Sequence, residues 1–171
     1  MNNINYNIVV ESDGWKDSIP QHNDLVNKSV DNMCKYIDTP EILRDKKNEI
    51  NIILTNDKNM RILNEDFRNQ DKSTNVLSFA LIDDENIMQV IEQCEEYNEN
   101  IPAGDVIIAL ETIEREAKEQ NKDLNHHFQH ILIHGILHIM GYDHINEEDA
   151  LIMEEVEVKL LSNLNIANPY G

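Results

Sequence analysis

Between residues 134 and 144 the chain reads His-Gly-Ile-Leu-His-Ile-Met-Gly-Tyr-Asp-His, with three of its seven histidines at the first, fifth and eleventh places. Residues four apart on a helix share one face a turn apart, so His134 and His138 can aim their imidazoles at one point. Gly141 follows, and glycine is the residue best able to end a helix in the left-handed conformation. A chain reversed there brings His144 back toward the same point. Three neutral imidazoles around one centre describe a metal site. Three protein ligands with a fourth place left for water is the arrangement of catalytic zinc, whereas structural zinc is closed by four ligands rich in cysteine. The expectation is therefore one zinc ion on His134, His138 and His144. His130 lies four residues before His134 and extends the ladder, but a returning turn encloses a metal better than three residues stacked along one helix. His127 and His130 are then supporting or packing residues. Asp143 has two readings, a partner that orients an imidazole or a polar turn residue.

The spacing of His134, His138, Gly141 and His144 is similar to the extended zinc motif of metzincin proteases. One position departs. Those proteases carry glutamate directly after the first histidine, as general base for the attacking water, and here that place is Gly135. Glycine inside a helix costs about 1 kcal/mol relative to alanine, so Gly135 is expected where a backbone or a ligand comes close. Peptide hydrolysis by the protease route is disfavoured.

Elements that can carry such a site follow from periodicity. Ile4 to Val10 alternates like a half-buried strand, broken at Gly14. Val26, Val30, Met33 and Ile37 recur at helical spacing, with Pro20 and Pro40 as outer limits. Glu49 to Thr55 is a β-branched run, and Asn56 then offers an N-cap to a helix carrying Met60, Leu63 and Phe67. Asn75 to Leu81 and Gly104 to Leu110 read as strands, separated by an acidic excursion from Asp83 to Asn100, a solvated loop or short helix rather than a calcium loop. From Glu111 the pattern is helical: one helix near Ala117, the histidine helix from about Leu124, and a last from Glu147 to Leu164. Strands gathered before a helical C-terminal half predict an α+β fold, a small mixed sheet packed against helices, with the metal-binding helix in the C-terminal half. The strand order within the sheet does not follow from the pattern.

At 171 residues the chain suits one domain, residues 1–171. Its start lacks the basic and apolar regions of a secretory signal, which predicts a cytoplasmic protein, and no apolar run is long enough to span a membrane. Cys34 and Cys94 are solitary and read as reduced thiols, not as zinc ligands. A net charge of -19 weighs against a broad nucleic-acid-binding surface, so any RNA contact is expected to be local. Lys58, Arg61 and Lys72 are interleaved with Asp57, Glu65, Asp66 and Asp71, which fits either a local guide for a phosphate backbone or a neutral solvated face.

The segment His134 to His144, with Gly135, Tyr142 and Asp143, resembles the signature of the YbeY family of bacterial rRNA-maturation endoribonucleases. Leu63 to Arg68, Asp71 to Phe79, Gly104 to Ile108 and Asn168-Pro169-Tyr170 resemble further motifs of that family, so the likeness runs from about Ile52 to Tyr170. Ser73 stands for a common proline and Asn168 for a common aspartate. The resemblance implies a zincin-like fold, one zinc on His134, His138 and His144, and Arg68 as the functional arginine. It implies cleavage of single-stranded RNA in maturing the 3' end of small-subunit (16S) rRNA, a role in ribosome quality control, and the ribosomal small subunit with its proteins as partners. The residues alone would leave Arg68 on the surface; in the family reading it stabilises the charge of a phosphorane-like transition state. No general base is assigned, which leaves attack by metal-activated water or by the RNA's own 2'-hydroxyl. Two other functions stay in view: a ribosome-assembly factor with a mainly structural zinc, and a metal-dependent hydrolase of a non-RNA substrate.

Overall fold

The strand-like runs form one four-stranded sheet in the computed structural model, which describes residues 4–38, 48–82 and 85–171. The elements are β1 (Ile4–Val10), α1 (Gly14–Ser18), α2 (His22–Tyr36), β2 (Asn48–Thr55), α3 (Asp57–Arg68), β3 (Val76–Ala80), α4 (Ile87–Tyr97), β4 (Ile101–Ala109), α5 (Leu110–Glu119), α6 (Leu124–Ile139) and α7 (Glu147–Asn163). Strand order is β1-β2-β4-β3, with β1, β2 and β4 parallel and β3 antiparallel to β4 at the edge. The sheet is mixed and the class is α+β, as expected. Interior strand β4 is covered on both faces, hence its run Val106-Ile107-Ile108-Ala109, whereas β2 alternates buried and half-buried residues from Asn48 to Leu54.

One helix was not legible as such, and a second was expected only as the alternative to a loop. α1 is one short turn after the break at Gly14, too short for a period, and Trp15 anchors it in the core. Trp15 is fully buried, meets Phe128 edge-on at 5.4 Å, and donates its indole N–H to the carbonyl of Thr55 at 2.8 Å. The acidic excursion contains α4, whose Ile91 and Cys94 pack against Ile101. Of that excursion Asp83 and Asp84 lie outside the described residues, as does Pro40. The last strand starts earlier than expected, at Ile101, and Leu110 already opens α5.

Helix ends follow a common device. Asn56, Asp123 and Asn146 accept hydrogen bonds from the backbone N–H groups of Asn59, His126 and Asp149 at their helix starts. After α3, α4, α5 and α7 an asparagine (Asn69, Asn98, Asn121, Asn165) takes a positive φ, a role glycine usually fills. After α6 it is Gly141, at φ 97°, where Tyr142 N–H returns to the carbonyl of Leu137 at 3.0 Å and Gly141 N–H to that of His138 at 3.1 Å.

Helix α6 occupies the centre, packed on β3, β4, α2, α5 and α7, and it is apolar on nearly every side, as a buried helix must be. Its approach to the sheet depends on Gly135. A Cβ there would stand 2.7 Å from Val106 Cγ1, 3.1 Å from Val76 Cγ2 and 3.2 Å from Ser78 Oγ. The helix is also pinned at this point, since Ser78 Oγ donates to the carbonyl of Gly135 at 2.9 Å. Close approach of backbone to sheet, not of a ligand, explains the glycine. Gly135→Ala should therefore destabilise the protein by about 1–3 kcal/mol through overpacking against the fully buried, β-branched Val106. Helix propensity alone would give the opposite sign, about 1 kcal/mol of gain, and a raised urea midpoint for the variant would overturn this account.

Candidate metal centre

The three histidines expected at one point are there. One ligand-capable nitrogen from each of His134, His138 and His144 lies within 4.8 Å of the others, and this is the sole such cluster of three among the described residues. His134 and His138 project half-buried from the last two turns of α6, their rings 4.7 Å apart between centroids. The reversal at Gly141 then returns exposed His144 to 5.0 Å from His138 and 5.8 Å from His134.

Hydrogen bonds assign the tautomers. His138 Nδ1 donates to the carbonyl of Tyr142 at 3.0 Å, and His134 Nδ1 donates to Glu157 Oε1. Each ring thus keeps its Nε2 lone pair free, and the two Nε2 atoms face each other at 3.1 Å. Lone pairs so placed repel unless a cation lies between them, so the donor set fits an imidazole-binding ion such as zinc. Burial, then the neighbouring His134 and His144, lower the pKa of His138, which favours the neutral, metal-binding form.

Behind the histidines stands Glu157 of α7, which sequence reasoning missed. Its side chain is fully buried. Oε1 accepts from His134, Oε2 accepts from the Tyr170 hydroxyl, and His130 Nε2 lies 3.8 Å from Oε2. Burial alone raises the carboxyl pKa, but His130, His134 and Tyr170 outweigh it and hold the group at about 2. In return, burial and the Glu157 charge raise the pKa of the Tyr170 hydroxyl. The signal was available: Glu157 interrupts the apolar stripe of Met153, Leu160 and Leu161, and an acid at a core position needs partners.

Other expectations resolve locally. Asp143 caps the turn, its Oδ1 accepting from His144 N–H at 2.7 Å. His127 is buried and pairs through Nε2 with Glu116 Oε2 at 2.8 Å, outside the cluster; Glu116 also accepts from Asn75. Arg61 is held bidentately by Asp71 at 2.5 and 2.8 Å, and with Lys58 and Lys72 it lines a different groove, so these cations do not face the histidines. Cys34 and Cys94 are free thiols, half-buried and buried.

Arg68, the last residue of α3, does face them. It lines the same cavity as His134, His138 and His144, a space of about 540 Å³ walled also by Thr74, Asn75, Val76, Ser78 and Ala80. That size is in the range of ordinary ligand sites, about 300–1,000 Å³. Arg68 is exposed and has no ion pair or hydrogen bond among the described residues. Among the described residues its forked donors have no partner, and they suit an anion.

Comparison with known proteins points to one family. The sequence model of the family described as "Endoribonuclease YbeY" matches residues 10–165. The endoribonuclease YbeY of Francisella philomiragia is 43% identical over 136 residues, covering 75% of this chain and 80% of that protein. Its counterpart in Francisella tularensis subsp. novicida is 43% identical over 122 residues, 71% of each chain. A solution structure from Thermotoga maritima has the same fold, with a TM-score of 0.55 and 24% identity over 94% of this chain and 91% of that one.

The buried carboxylate makes a pH prediction. Its folded pKa of about 2 lies below the ordinary 4.5, so its contribution to stability is complete above about pH 4.5 and drains as pH falls toward 2. Metal-free wild type should exceed metal-free Glu157→Gln in unfolding free energy by about 1–3 kcal/mol at pH 6. The gap should narrow as pH falls from about 4.5 toward 2 in urea titrations; a gap that does not change with pH would show that Glu157 is not ionised in the fold.

Proposed function

This chain belongs to the YbeY family of endoribonucleases, and from that premise we propose that it is a single-strand-specific, zinc-dependent endoribonuclease that matures the 3' end of small-subunit (16S) rRNA. Endonucleolytic cleavage of RNA is its activity; the zinc, the rRNA substrate, a part in ribosome quality control and a cytoplasmic site of action are our reading. No described helix is long and apolar enough to cross a membrane. The observation that carries the proposal is the convergence on one cavity of three imidazoles and an arginine that has no partner among the described residues.

His134, His138 and His144 would hold the ion, each neutral and each through one nitrogen. Bound zinc would supply Lewis-acid chemistry, polarising a phosphoryl oxygen and activating water. Glu157 keeps the Nδ1 proton on His134 and so fixes the ring with its lone pair toward the centre; the Tyr142 carbonyl does the same for His138. Arg68 is placed to take up negative charge that develops on the phosphoryl group. Gly135 puts no carboxylate where a protease has its base, which speaks for phosphodiester over peptide substrates. Three ligands without a fourth among the described residues favour a catalytic ion over a structural one.

With a net charge of -19 the protein repels RNA at long range. Small-subunit ribosomal proteins are accordingly proposed to position it on its substrate.

Two variants separate ligand from charge stabiliser. His138→Ala should lose zinc by atomic absorption and lose cleavage of an unpaired RNA oligonucleotide, with helix content retained; a zinc-free variant that still cleaves would end the metal assignment. Arg68→Ala should keep its zinc and lose about 10²–10³-fold in kcat, the size expected for one preorganised donor to the transition state. Unchanged kcat with a raised KM would instead make Arg68 a substrate-binding residue only.

A further inference from the structure

Among the described residues the sheet ends, beside the histidines, on a strand with one open edge. Leu81 N–H donates to the carbonyl of Ala103 and Ala109 N–H to that of Asn75, both at 3.0 Å. In the register that pairs Val76 with Ile108 and Ala80 with Gly104, the residues of this stretch bonded to β4 are therefore Asn75, Leu77, Phe79 and Leu81. The alternate residues Val76, Ser78 and Ala80 turn their N–H and C=O groups away from β4. Among the described residues nothing hydrogen-bonds to them. These same three residues line the cavity that holds the histidines and Arg68. On the opposite face of the edge stands Phe67, 65% exposed, its ring 5.2 Å from that of Phe79.

We infer that the free edge of β3 binds the bases of the substrate strand, its outward N–H and C=O groups pairing with their Watson–Crick edges while Phe67 offers a stacking face. The inference rests on the RNA reading of the site and adds the origin of its strand preference. In an outward-facing residue one donor and one acceptor point the same way, and the Watson–Crick edge of an unpaired base presents adjacent acceptor and donor to match. A duplex has already used those edges. Base stacking on an aromatic ring is sequence-tolerant, so the ledge asks for an unpaired base more than for a particular one. An extended peptide can also add to a sheet edge. Arg68 in the same cavity and the missing carboxylate at position 135 favour the polyanion.

The test uses ¹⁵N-labelled, zinc-loaded wild-type protein and a short 2'-O-methyl phosphorothioate oligonucleotide. The amide resonances of Val76, Ser78 and Ala80 should shift on addition of the single strand, and far less on addition of the same sequence as a duplex. Those of Leu77 and Phe79, bonded to β4, should shift least. Ala80→Pro removes one outward N–H without touching the ladder, a substitution edge strands tolerate. It should raise KM for an unpaired RNA at least fivefold while kcat and zinc content hold. Cleavage of RNA with the three amides silent would overturn the ledge and leave the endoribonuclease reading intact. Displacement of the oligonucleotide by an extended peptide that shifts the same amides would assign the edge to protein. Failure of wild type to bind or cleave unpaired RNA would remove both proposals.

Discussion

A carboxylate with no access to water is the constraint around which this centre is arranged. Glu157 is fully buried and ionised, and an unpaired charge in that position would cost several kcal/mol. It is tolerated because α6 supplies His130 and His134 and the C-terminal segment supplies Tyr170. Each donor is thereby fixed in turn. The ring of His134 cannot rotate without stranding the carboxylate, so the charge that is hardest to bury also orients the first histidine of the cluster. The central helix, the last helix and the C-terminal segment are joined at one side chain.

The electrostatics of the whole molecule run opposite to its task. An acidic protein that cleaves a polyanion has to confine attraction to a small region. The structure does this by pairing cations elsewhere, as Arg61 is with Asp71, and leaving Arg68 without a partner among the described residues at the cavity wall. Asn75, on the same wall, is held by Glu116, which His127 steadies in turn. The histidines of α6 therefore serve both the centre and the wall facing it.

Much of this was legible. Helical spacing placed His134 and His138 together, and Gly141 marked the reversal that brings His144 back, because both signals are local. β1, β2 and α3 with its Asn56 cap also followed from local period and cap chemistry. What the chain order could not reveal is tertiary. The placing of β3 at the edge depends on long-range pairing with β4. α1 exists because Trp15 finds Phe128 and the carbonyl of Thr55. Arg68 looked like any cation at a helix end until α3 and α6 were set on either side of one cavity; here only the family resemblance pointed to it. Glu157 was passed over for a different reason, since its burial is written in the stripe it interrupts.

The packing at Gly135 also bounds what this scaffold can become. A histidine cluster of this spacing invites conversion to a peptidase by adding a glutamate after the first ligand. Any side chain at that position begins with a Cβ 2.7 Å from Val106 and 3.1 Å from Val76, beneath a helix already pinned by Ser78. The new carboxylate would need α6 lifted from the sheet, and with it the two histidines it was meant to assist. Divergence between the two chemistries is thus separated by a shift of helix against sheet, not by one codon, and a designer seeking the crossing would have to shorten residues 76 and 106 before touching the centre itself.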